Sequence, residues 1–185
     1  MSRDRPLEIA LFEAGLIQYG RFAKPTGVQP FQHQLGLLAS YPELLREAAL
    51  RIALSVRDVD RLLCPADSVA LAVAVSLETG IPLVIASGDG SGGPNDFAGA
   101  FDIGHPAALI ALTWESIPAG LPVHAGRFGL HIRFACALLA LAPSALSVPT
   151  ESVFALGEVT ARLVSEKRLP AGQGRAVESW LAGTG

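Results

Sequence analysis

Residues 107–120 read AALIALTWESIPAG, an apolar run of strand length that breaks into a polar stretch closed by Pro118, Ala119 and Gly120. Six apolar residues (107–112) bounded by turn residues suit a strand buried on both faces, the pattern of a parallel sheet. An open α/β sheet binds its ligand at the carboxyl end of such a strand. A phosphate held there needs a small Gly-, Ser- and Thr-rich loop whose backbone N–H groups face the anion, and often a carboxylate facing a metal. This turn has that place in the chain but carries Trp114 and Pro118 inside it.

The same pattern recurs on either side. RLLC (61–64) reads as a short buried strand, and Asp67 is placed to cap a helix that runs to Glu78 and stops at Gly80. PLVIA (82–86) is a further strand, followed by twenty residues (87–106) rich in Gly, Ser, Asp and Pro. SVFA (152–155) is a late strand, 157–167 a following helix, and 173–181 a short terminal helix. Residues 126–142 send two signals. FACALLALA has helical composition, while Leu130, Ile132, Phe134 and Cys136 alternate as a strand does; the composition tilts the reading to helix. Upstream, Pro6 and Gly15 frame a first helix over 6–18, and residues 19–36 read as extended chain with turns. A second helix is marked by a Ser40–Glu43 capping box and Pro42, with Leu44, Leu45, Ala48, Ala49 and Ile52 as its buried stripe. Strand–helix alternation with short connections predicts an α/β fold with a mainly parallel central sheet and helices on both faces.

Composition narrows the function classes. A chain of 185 residues suits one domain with a single core. Half its residues are hydrophobic and 17% charged, which excludes a disordered chain. A net charge of −3 gives no electrostatic case for nucleic acid. No apolar stretch reaches the roughly 18–20 residues of a membrane span, and Glu8 and Glu13 come too early for a signal peptide. Cys64 and Cys136 both lie in apolar runs, as expected of a soluble, cytoplasmic protein without a disulfide framework or zinc site. The mean hydropathy of +0.41 is high for a soluble chain, so a homodimer covering part of the apolar surface is expected.

The order of these pieces resembles the type I phosphoribosyltransferases, and among them the orotate phosphoribosyltransferases. LFEAGLIQYGRFAKPTG (11–27) is similar to that family's opening helix and Phe-Gly-x-Phe-Thr-Leu-Lys-Ser-Gly hood, with Tyr19, Gly20, Phe22 and Gly27 on matching positions. QPF (29–31) resembles the Ser-Pro-aromatic step that lines the base pocket, which implies Phe31 as a stacking aromatic. CPADSVALAVAVSLETGIPLV (64–84) resembles the strand, Gly-Pro-Ala-Tyr-Lys-Gly loop and helix, and ESVFALGEVTARLVSEK (151–167) the closing strand and helix. The resemblance implies a single phosphoribosyltransferase-like domain over 1–185, with 1–36 contributing a small hood over the sheet's carboxyl edge, and it too implies a homodimer.

The family joins a base to ribose 5-phosphate, with phosphoribosyl diphosphate and Mg²⁺ as co-substrates. Its transition state is oxocarbenium-like, so metal and cationic side chains must neutralise the departing pyrophosphate. Its co-substrate motif is an apolar strand, Asp-Asp, two residues, then Thr-x-Gly-Thr. Laid on this chain, the acidic pair becomes Trp114 and Glu115, and the turn becomes Pro118, Ala119, Gly120, Leu121 and Pro122. The hydroxyls are gone, and both prolines lack the N–H a phosphate needs. Residues 87–106 stand where the family has its cationic mobile loop, yet contain no Lys or Arg and carry Asp89, Asp96 and Asp102. The lysine of the Tyr-Lys-Gly loop is replaced by Ser68; that of the hood is replaced by Pro25, with Lys24 one position away.

The resemblance therefore leaves Lys24, Phe31, Asp67, Ser68, Trp114, Glu115, Ser116, Ala119 and Gly120 as candidate ligand-binding residues. No catalytic residue and no metal ligand is assigned, and Mg²⁺ is implied only where phosphoribosyl diphosphate binds. Trp114 reads equally as a stacking platform and as packing at a pocket mouth. GDGSGG (88–93) fits G-x-G-x-x-G but is followed by Pro94 rather than a helix, so it reads as a loop. His33, His105, His124 and His131 show no metal spacing. The expected function is a phosphoribosyltransferase-like protein without transferase activity that binds a nucleotide-like or other small ligand, or a partner. Two alternatives stand beside it: an active orotate phosphoribosyltransferase with a rebuilt loop, borrowing Arg21 or Arg127 across a dimer, and a structural protein that binds no ligand.

Overall fold

The computed structural model describes residues 5–25, 27–87, 96–101, 104–118 and 120–183. The GDGSGG stretch and Ala119 lie outside these residues. The run at 107–112 forms the middle of strand β6 (His105–Thr113), whose residues Ala107–Ala111 are wholly buried. Around it stands a six-stranded sheet in the order β5-β4-β3-β6-β7-β8, built from β3 (Arg61–Pro65), β4 (Leu83–Ala86), β5 (Phe97–Ala98), β7 (Leu130–Ala140) and β8 (Thr150–Ala155). Every neighbouring pair is parallel except β4–β5, where Ala98 faces Ile85 in antiparallel register.

Alternate residues of the central strands feed two separate cores, as the pleat requires. Leu62, Cys64, Ala108, Ile110 and Leu138 point to one face, which packs against α1 (Leu7–Glu13), α2 (Pro42–Ala53), α3 (Val69–Thr79), α5 (Leu156–Ser165) and α6 (Ala171–Gly183). Leu63, Val84, Leu109 and Ala135 point to the other, which is covered by α4 (Leu121–Arg127) and by Leu146 and Val148 of the β7–β8 connection. No helix among the described residues is long and apolar enough to cross a membrane.

Four sequence expectations need correction. Residues 130–140 are strand, not helix: α4 stops at Arg127, Gly129 turns the chain at φ +84°, and β7 then pairs with β6 along its length. Burial on both faces lets small apolar residues pack as a central strand, so helical composition is overridden by tertiary context. The first helix ends at Glu13, because Gly15 at φ +73° redirects the chain into the hairpin. Ser40 caps nothing; it ends a 3-10 turn (Leu35–Ser40), and α2 starts after Tyr41 without a side-chain cap. Asp67 does not cap α3 either, whose N-cap position is Ser68. Gly80 does close that helix, in the left-handed conformation at φ +71°.

Where residues 19–36 are expected as extended chain, an antiparallel hairpin forms from β1 (Ile17–Lys24) and β2 (Gly27–His33). It is fastened to the helical layer at two points. The Tyr19 hydroxyl lies 3.0 Å from Thr160 Oγ1 of α5, and Phe31 packs edge-on against Trp180 of α6 with ring centroids 5.0 Å apart.

Candidate functional site

The chain leaves β3 for β4 on one side and returns to β6 on the other, so the connections part between β3 and β6. The carboxyl ends of strands at such a switch point are where open α/β sheets form a crevice. A cleft of about 680 Å³ opens there. Pro65 ends β3 and Ala66 and Asp67 follow it, Ala86 ends β4, Asp96 precedes Phe97 at the start of β5, and Ser116, Pro118 and Gly120 follow β6. Helix α4 contributes Leu121, Val123, His124 and Arg127.

One wall is aromatic. The His124 ring stacks on Phe97 at 5.2 Å and 27°, and meets Phe128 edge-on at 5.1 Å. Asp96 Oδ2 lies 3.2 Å from His124 Nε2, with both side chains nearly buried. No hydrogen bond joins the two, and Nε2 has no hydrogen-bond partner among the described residues.

The candidate residues separate into three groups. Asp67, Ser116 and Gly120 line the cleft. Lys24, on the exposed tip of the hairpin, and Glu115 are not among the lining residues; with Asp67 they lie within electrostatic reach of His33. His33 keeps much of its surface in water, yet enough protein surrounds the ring that desolvation, the largest effect, lowers its pKa. Glu115 opposes that shift, Lys24 adds to it and Asp67 opposes it.

Three others do not face the cleft. Phe31 is 2% exposed and belongs to the core, so it is no stacking platform at the site. Trp114 lines a different hollow of about 820 Å³, bounded by Leu141, Ser144, Ser152 and the first turn of α5. Ser68 is wholly buried, where its Oγ accepts from the Leu112 N–H at 2.9 Å and donates to Asp67 Oδ1 at 2.9 Å. Its role is to tie the start of α3 to β6 and to hold Asp67. Ser68→Ala strands a buried β6 amide, and is expected to cost about 1–3 kcal/mol in a urea melt. An unchanged midpoint would show that the amide finds another partner.

The turn after β6 offers few amide donors. Pro118 and Pro122 have none, the Leu121 N–H donates to Pro118 O at 2.8 Å, and the Ile117 N–H to Trp114 O at 3.1 Å. Ser116 Oγ is likewise spent on Thr113 O at 2.8 Å. Cys64, near the end of β3, is no nucleophile: burial pushes its thiol up to about 12, with Asp67 adding to the shift.

No family model matches the sequence, and no curated protein matches it either. Solved structures do. The UMP synthase of Leishmania donovani matches 96% of this chain at 19% identity, with a TM-score of 0.82. The fold is that of the type I phosphoribosyltransferases. This chain spans 42% of the length of that UMP synthase. The orotate phosphoribosyltransferase of Francisella tularensis matches 92% of this chain and 94% of its own, at 14% identity and a TM-score of 0.67. That of Mycobacterium tuberculosis, solved with 5-phospho-α-D-ribosyl 1-diphosphate, matches 83% and 99% at 16% identity and 0.64.

On a phosphoribosyltransferase fold, the Mg²⁺ that accompanies phosphoribosyl diphosphate requires several oxygen ligands. The first acidic position is Trp114, which lines the other hollow, and the second, Glu115, is exposed. No group of three or more His, Cys, Asp or Glu is placed to hold a metal among the described residues. Of that acidic pair, Glu115 alone remains as a carboxylate for an ion whose other oxygens come from substrate phosphates and water. The phosphoribosyltransferase pattern has no place for Asp96 and His124, and the sequence offered Arg127 only as a cation borrowed across a dimer. Asp96 and His124 are brought together by β5 docking on α4, across 28 positions of sequence.

Proposed function

We propose that this chain uses the phosphoribosyltransferase fold to bind a nucleotide-like or other small ligand in the cleft between β3, β4 and β6, and does not transfer phosphoribosyl groups. The observation that carries this reading is the turn after β6. Two of its positions are prolines, and the described amides of Ile117 and Leu121 are consumed within the turn, so a 5-phosphate loses its cradle. Arg127 is the single Lys or Arg of the described cleft lining, where neutralising pyrophosphate calls for several cations. Removing one preorganised donor to a developing anion lowers a rate by about 10² to 10³. Several such losses together, even when strongly non-additive, put transfer below detection.

The test is orotidine monophosphate formation from orotate, phosphoribosyl diphosphate and Mg²⁺, run beside thermal shifts with nucleoside monophosphates. The expected result is no turnover above background and a raised melting temperature with a bound ligand. Turnover of about one per second that is lost in Glu115→Ala would restore the enzyme reading.

The proposal extends to a two-fold homodimer. Val73 and Leu77, one turn apart on α3, are exposed, as is Leu37 in the 3-10 turn that packs beside that helix. Covering such a patch with a second copy is the commonest solution for a soluble chain. Light scattering at micromolar concentration is expected to give twice the chain mass, and a monomer mass would count against it.

A further inference from the structure

Residues 96–101, on the β4 side of the cleft, are held down at several points. Phe97 and Ala98 pair antiparallel with Ala86 and Ile85, and so cover the outer edge of β4. The Ser87 N–H donates to Asp96 O at 2.8 Å at one end, and Arg61 Nε donates to Ala100 O at 3.0 Å at the other. Between them Phe97 is 6% exposed, seated in the core beneath α4 against His124 at 5.2 Å, Phe128 at 5.6 Å and Phe101 at 5.8 Å. Gly99 lets the two backbones close up. It sits at φ +136°, and a Cβ there would lie 2.7 Å from Leu83 O and 3.1 Å from Val84 Cα. A two-residue strand has little hold of its own. The buried ring, the bare backbone contact and the arginine clasp supply the rest.

We infer that residues 96–101 are a strap latched across β4, with Phe97 as the latch and Gly99 as its seat, which fixes this wall of the cleft before any ligand arrives. Asp96 and Phe97 line the cleft, so the strap is its β4-side wall. A wall already in place removes the ordering cost that a closing segment would add to binding. The sequence resemblance implies a moving loop over 87–106, and a latched strap departs from it. This deepens the ligand-binding reading above: the cleft receives its ligand preformed, and the strap supplies no closing step that would shut water out.

Residues 87–106 contain Phe97 and Phe101 but no Leu, Met, Trp or Tyr, so chymotrypsin reads this segment at the two phenylalanines. Cleavage after Phe97 in the full chain is expected to be at least about a hundredfold slower than in a peptide of residues 87–106, because the strap must lift first. Gly99→Ala, which drives a methyl group into the β4 backbone, is expected to speed that cleavage by about tenfold or more while Phe31 stays resistant. Cleavage of the unaltered protein at the peptide's rate would overturn the inference, and so would a Gly99→Ala rate equal to the parent's. Should Gly99→Ala fail to fold, the Ser87 amide of the unaltered protein decides, since its acceptor is Asp96 O. Hydrogen exchange there about a hundredfold below the free peptide supports the strap, and exchange at the peptide's rate overturns it. Neither measurement uses a ligand, so a loose strap would leave the ligand-binding reading standing. Formation of orotidine monophosphate would remove that reading and leave the strap.

Discussion

Leu109→Ala and Ile110→Ala are each expected to destabilise the protein by about 2–5 kcal/mol. The two side chains are neighbours in β6, both wholly buried, yet they belong to different cores. Ile110 packs beneath the layer of α2 and α3; Leu109 packs beneath α4 and Phe97. A sheet with one face in water would lose stability at only one of these positions. The two side chains enter different cores but share a backbone, so the double variant is expected to lose more than either single one, up to about 4–10 kcal/mol if the effects add. Domains have about 5–15 kcal/mol in all, so the double variant is expected to be largely unfolded at 25 °C. Urea unfolding of the single variants is the measurement. A loss below about 0.5 kcal/mol at either site would show that its face is not covered.

Phe31→Ala is expected to remove about 3–5 kcal/mol and lower the melting temperature by about 6–20 °C. Phe31 is 2% exposed and meets Trp180 edge-on, so it joins the β1–β2 hairpin to α6. An aromatic that stacked on a ligand would be exposed in the free protein, and its truncation would weaken binding with little effect on stability. The opposite pattern is expected, with the melting temperature falling while affinity at the cleft, which Phe31 does not line, is unchanged. A melting temperature within about 2 °C of the parent would return Phe31 to the site.

The alternation of apolar runs with helical segments already determined the class of this fold. AALIAL and PLVIA, and RLLC after its first residue Arg61, lack the polar alternate positions that a half-exposed strand needs, so they belong to a sheet covered on both faces. The chemistry of the turn was equally local. Pro118 and Pro122 have no N–H in any conformation, and no fold can supply the Lys and Arg that residues 87–106 do not contain. Residues 130–140 were another matter. Their small apolar side chains suit a helix in isolation, and only pairing with β6 and cover on both faces make them a strand. Aim was also beyond the sequence. Trp114 and Ser116 are two residues apart, yet one lines the hollow beside α5 and the other the cleft beside α4, because the 3-10 turn between Trp114 and Ser116 rotates successive side chains to different sides. Phe31 and Ser68 matched a ligand pattern by position, while the packing of α6 and β6 against them turned one into a core contact and the other into a partner for a buried amide. The pairing of Asp96 with His124 depends on β5 and α4 meeting across the sheet edge, a contact that no local spacing encodes. Residue type is a property of the chain, but which surface a side chain faces is set by the elements packed around it.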